Sequence, residues 1–190
     1  MRRTIKQLAL ATALLAASAA HAQATWSGWL CCSLRGDGKW ISDINYDEGP
    51  THRIIPAGTP VQITGYGRYR VLVTIDGKSQ AIGNDYSRDL GLEAFARRYV
   101  LAEDPSATLA SHPPKIREAI AAGKVTRGMT REQARMAVGW PVSSENPDPQ
   151  AKVLRHWLSS FAEYQLVFDA SGRISDINTD PATRNAVVVD

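Results

Sequence analysis

Alternation of apolar and polar positions dominates the first half of the chain and gives way to helical spacing further on. Val61 and Ile63 alternate with Gln62 and Thr64 behind a turn at Pro56-Ala57-Gly58-Thr59, the period-two pattern of a half-buried strand. Arg70 to Ile75 (RVLVTI) is rich in β-branched residues, Asp76-Gly77 supplies a two-residue hairpin turn, and Lys78 to Ile82 returns the chain. Upstream, Gly36-Asp37-Gly38 predicts another turn, leading into a strand from Trp40 to Ile44. Leu92, Phe95, Ala96 and Tyr99 then recur at helical spacing. Short strands joined by tight turns, with one helix, predict a small β-barrel over residues 25–104.

Residues 105–114 carry Pro105, Pro113 and Pro114 among Ser, Thr, Ala and His, the composition of a linker. A second unit is expected over 115–179, followed by a tail at 180–190. A short helix runs from Lys115 to Ala122 and stops at Gly123. Thr130-x-x-Gln133 is a capping box, in which the Thr hydroxyl and the Gln side chain satisfy free amides at a helix start. Gly139 supplies the matching stop and Pro141 forbids continuation. Strands are expected at Val153–Leu158, Glu163–Asp169 and Arg173–Asn178. In the second, Tyr164, Leu166 and Phe168 share one face, and Ala170-Ser171-Gly172 turns the hairpin. Two helices and a three-stranded meander pack as a two-layer sandwich. The expected fold is therefore α+β. The pentapeptide Ile41-Ser42-Asp43-Ile44-Asn45 recurs at Ile174–Asn178; because the flanks differ, it reads as one turn-to-strand solution used twice rather than as a duplication.

The N-terminus changes how the charge is read. Met1 to Gln7 is basic, Leu8 to Ala20 is an uncharged apolar run, and Ala20-His21-Ala22 is a small-x-small cleavage pattern. This is the tripartite layout of a secretory signal peptide over 1–22, too short to span a membrane. The whole chain has 22 Lys+Arg against 19 Asp+Glu. Arg2, Arg3 and Lys6 lie in the leader and no acid precedes Asp37, so a cleaved chain is neutral. It then lacks the excess charge that drives nucleic-acid binding. No later stretch is long enough to cross a bilayer, and no cysteine lies at the cleavage point to carry a lipid anchor. The expected location is the periplasm.

An exported chain meets an oxidising compartment, which makes Cys31-Cys32 conspicuous. Adjacent cysteines close only a strained ring, and in a strand their side chains point to opposite faces. A vicinal redox pair, a thiolate metal site and two small apolar residues in a strand are the competing readings, with the last preferred and an intermolecular disulfide behind it. His52, His112 and His156 lack metal-ligand spacing, and neither a metal nor a cofactor is expected.

The first unit resembles SH3-like barrels, through Ala57-Gly58-Thr59-Pro60-Val61 and the RVLVTIDGK hairpin. The second carries Gly128-Met129-Thr130-x-x-Gln133, Gly139-x-Pro141, Trp157 and Val167-Phe168-Asp169-x-x-Gly172-Arg173. This ordered series resembles the BamE (SmpA/OmlA) family over about a third of the chain. The resemblance implies an ααβββ fold and a cell-envelope role in outer-membrane assembly, with such layers serving as protein-binding surfaces.

Catalytic patterns are sparse. There is no Gly-x-Ser-x-Gly elbow, Gly65-Tyr66-Gly67 reads as a strand bend, and Asp43, Asp47 and Glu48 read as a solvated turn. Catalytic residues are not assigned and an enzyme is not expected. The alternative is a thiol-dependent or hydrolytic enzyme using Cys31 or Cys32 with His52. Trp29, Trp40, Tyr66 and Tyr69 are the candidate binding aromatics, since such residues line peptide grooves as well as barrel cores. The expected function is an exported binding or scaffold protein whose partner is another protein or the cell-wall polymer.

Overall fold

The computed structural model describes residues 24–47 and 49–189. The expected signal peptide and Glu48 lie outside the described residues. The chain is an α+β protein with one curled eight-stranded sheet, one three-stranded sheet and packed helices.

The strands are β1 (Ser27–Leu30), β2 (Leu34–Gly36), β3 (Trp40–Ser42), β4 (Arg53–Ile55), β5 (Pro60–Gly67), β6 (Arg70–Ile75) and β7 (Lys78–Gly83). Helix α1 (Leu92–Tyr99) and the short β8 (Val100–Leu101) complete the first unit. Their order in the sheet is β4-β2-β3-β7-β6-β5-β1-β8. Neighbours pair antiparallel except β3 and β7, which run parallel. The alternation seen in the sequence points Val61, Ile63, Val71, Val73 and Ile75 to one interior, and α1 packs Phe95 and Tyr99 onto it. Asp76 holds positive φ in the β6–β7 hairpin, as a two-residue turn of this hand requires.

Helix α2 (Ser106–Ser111) lies within the segment read as a linker, and its Leu109 packs on the second core. Helices α3 (Pro114–Ala121) and α4 (Arg131–Val138) precede the meander β9 (Val153–Ser159), β10 (Ala162–Phe168) and β11 (Ile174–Asn178). The capping box forms: Gln133 N donates to Thr130 Oγ1, and Thr130 N donates to the Gln133 carboxamide. Tyr164, Leu166 and Phe168 are buried together. The segment read as a tail holds α5 (Pro181–Val187), capped by Asp180, and Val188 bridges Val125 beside the fully buried Val187.

The repeated pentapeptide does not adopt one structure. The second copy is β11, whereas the first leaves β3 after Ser42. Buried side-chain bonds bend it. Asp43 Oδ2 accepts from the amides of Tyr86 and Ser87. Asn45, at φ 56°, accepts from Arg35 N and donates to Ser33 O and Val138 O.

These same residues join the two layers. The last carbonyls of a helix have no partner within it. Here Ser33 N donates to Met136 O, Ser33 Oγ to Ile120 O, Arg35 Nη2 to Gly123 O and Asn45 Nδ2 to Val138 O. Donors around β2 thus satisfy the C-terminal ends of α3 and α4, and the contact is a buried polar seam.

Candidate functional site

Cys31 and Cys32 form a disulfide with each other, with Cα atoms 3.7 Å apart. This corrects the preferred reading of free thiols in a strand. The pair sits in a bend just after β1, where neighbouring side chains are not forced to opposite faces. Cys32 is fully buried and Cys31 nearly so, so neither sulfur is a thiolate open to His52. Of the acids, Asp47 is ion-paired with Arg35 at 3.4 Å. Asp43 is buried, with Oδ1 unpartnered among the described residues. Burial pushes its carboxyl up, against the opposing pull of the Tyr86 and Ser87 amides.

The four candidate aromatics do not converge on one groove. Trp29 lies on β1 opposite Pro60, beside a shallow hollow that reaches Thr74 and Gly77. Tyr66 packs on the core of the curled sheet and donates to Ala24 O. Trp40 and Tyr69 do come together, but inside a satisfied network. Arg70 stacks 4.0 Å from the Trp40 ring and pairs with Asp85, while Arg88 stacks 4.3 Å from Tyr69 and reaches the same Asp85.

A concave surface lies elsewhere, where α4 faces the three-stranded sheet. A cleft of about 340 Å³ has Arg131 and Arg135 on one wall, Leu166 and Phe168 on its floor, and Trp140 and Pro141 at its end. Beyond Trp140 a second hollow of about 360 Å³ opens toward Arg98. The two share Trp140, Pro141 and Pro149. Local rules explain the arrangement. Gly139, at φ 82°, ends α4, and Pro141 prevents its continuation, so Trp140 is turned out of the helix. Its Nε1 donates to Arg98 O at 2.9 Å, which fixes the ring between the two units.

Arginines surround that ring. The guanidinium carbon of Arg135 stands 4.4 Å from the Trp140 centroid and that of Arg98 4.7 Å. Arg131 stacks 3.9 Å from Phe168, and its Nη2 donates to Gln150 O. Its buried Nη1 has no partner among the described residues. Ion pairs elsewhere engage Arg35, Arg70, Arg88, Arg127 and Arg155. Arg98, Arg131 and Arg135 have no carboxylate within bridging distance among the described residues. Burial lowers the pKa of Arg135; Glu132 opposes this and Arg98 adds to it. His156, on the cleft wall, is buried against Tyr164 with rings 5.3 Å apart, and burial lowers its pKa to about 4.

Such an arrangement offers cationic forks to an anion and apolar surface to the groups beside it. Among the described residues no group of three or more His, Cys, Asp or Glu is placed to hold a metal ion. No helix among them is long and apolar enough to cross a membrane. Compared with family models, curated proteins and solved structures, the chain finds no match.

Sequence reasoning about aromatics missed Trp140 and its arginines. Two signals point to them: Arg131 and Arg135 stand four apart and therefore share a helix face, and Trp140 is isolated between a helix-stopping Gly and a Pro.

Proposed function

We propose that the chain is an exported cell-envelope binding or scaffold protein that docks a partner in the groove around Trp140. The observation that carries this reading is the concave, aromatic wall set with three arginines lacking carboxylate partners among the described residues. The tripartite leader supports export to the periplasm. The order α3-α4-β9-β10-β11 supports a BamE-like second unit, and the curled sheet supports an SH3-like first unit. A link to outer-membrane assembly rests on the motif resemblance alone. The thiol-enzyme alternative loses support from the buried, mutually bonded cysteines.

The experiment combines cell fractionation, N-terminal sequencing and in-cell crosslinking. The expected result is a periplasmic chain beginning at Gln23, crosslinked to a partner that an Arg135→Glu variant of unchanged melting temperature no longer captures. An intact Met1 in the cytoplasm, or capture indifferent to Arg135, would contradict the proposal.

A further inference from the structure

The geometry assigns a ligand class to the Trp140 groove: an extended, acidic protein segment that lays one carboxylate on Arg131 and Arg135 in the cleft and another on Arg98 in the hollow beyond, with an apolar neighbour against Trp140 and Pro141. This inference rests on the groove being the binding surface.

Three observations select a carboxylate. First, two guanidinium groups approach one indole at 4.4 and 4.7 Å. Each gains from the ring face, but they repel each other. A carboxylate on either side of the ring offsets that repulsion and adds a charge-assisted contact to its own guanidinium. Second, Arg131, lining the cleft with Arg135, donates to Gln150 O alone and has no carboxylate within bridging distance among the described residues. Third, the cations are arginines throughout, and a planar guanidinium fork matches a planar carboxylate in two parallel hydrogen bonds. Two acids border the groove. Asp89 accepts from Ser143 Oγ, and Glu132 is exposed on α4; neither bridges to these arginines.

Shape selects a protein segment over a lipid surface. Arg98, Arg131 and Arg135 are only half-exposed, the last two inside the cleft and Arg98 inside the hollow beyond Trp140. No lysine lines either hollow. A flat anionic membrane is met best by exposed, protruding cations. Recessed cations are reached by a thin chain carrying its acid on a side chain. Trp140, Pro141 and Pro149 supply the apolar contact that an extended peptide lays down beside that acid.

Fluorescence anisotropy with the full chain tests this. The probes are a labelled ten-residue peptide of Glu and Pro with one central Phe, its counterpart with every Glu replaced by Gln, and phosphatidylglycerol vesicles. The acidic peptide is expected to bind at least about tenfold more tightly than its Gln counterpart. Its affinity should weaken as salt is raised. Arg98→Gln and Arg135→Gln are each expected to weaken it about tenfold, and Arg135→Lys, which keeps the charge but not the fork, by less. Melting temperatures of the variants verify folding, and the salt series on the unmodified chain is an independent readout if a variant melts early. Equal binding of the Gln peptide would overturn the ligand class while leaving the groove as a binding surface. Vesicle binding without peptide binding would replace the segment by a membrane. Binding of neither probe would overturn the inference, and the in-cell crosslink then decides whether the groove binds anything.

Discussion

His156 is held as a neutral imidazole, stacked on Tyr164 and removed from water. Burial lowers its pKa from the usual 6.5 to about 4. In the unfolded chain it takes up a proton near pH 6.5, while the folded chain resists until near pH 4. Stability is therefore complete above pH 6.5 and falls as pH drops through that window, by about 3 kcal/mol over the whole interval. His156→Phe should flatten this acid limb, which urea unfolding at pH 7 and pH 4.5 would measure. An unchanged pH dependence would show that another group carries it. At this scale the sequence was read only in part. Residue type nominated Trp29, Trp40, Tyr66 and Tyr69, yet stacking depends on distant partners. Arg70 on β6 meets Trp40 on β3 across the intervening β7, and Arg98 meets Trp140 across the two units. No local pattern announces either contact.

At the scale of elements, local chemistry was more legible. The Thr130–Gln133 box, the Gly139 stop and the alternation of Tyr164, Leu166 and Phe168 all act within one turn or one strand. Thr130→Ala removes the cap and should cost about 1 kcal/mol. Phe168→Ala leaves a void on the sheet face under α4 and should cost about 3–5 kcal/mol. Denaturant unfolding of the full chain gives both values, and equal losses would contradict the described face of β10. Helix α2 escaped because its Pro and Ser composition resembles a linker, and α5 because its segment, PATRNAV, is short and mostly polar. Their stability comes from Leu109 and Val187 meeting a distant core, which a short polar segment does not advertise. The bend at Asp43–Asn45 escaped for a related reason. Its side-chain bonds reach Val138 and Ser87, far along the chain.

For the molecule as a whole, the buried hydrogen bonds of the polar seam tie the two layers together, and the expected outcome is that they unfold as one. Asn45→Gly keeps the positive φ but deletes the bonds to Arg35, Ser33 and Val138. It should cost about 2–4 kcal/mol through unsatisfied buried groups. Calorimetry should show one transition shifted downward; separate transitions for the two units would contradict coupling through the seam. The groove inherits its geometry from that coupling, since Arg98 comes from one layer and Trp140 and Arg135 from the other. The most direct measurement of the central claim is a photo-crosslinking scan in intact cells. A crosslinking residue is placed in turn at Gln150 on the groove rim and at Trp29, Trp40, Tyr66 and Tyr69 on the first unit. A crosslinked partner at Gln150 that disappears with Arg135→Glu is the predicted result. Crosslinks confined to the four first-unit positions, with Gln150 silent, would show that the partner docks away from Trp140.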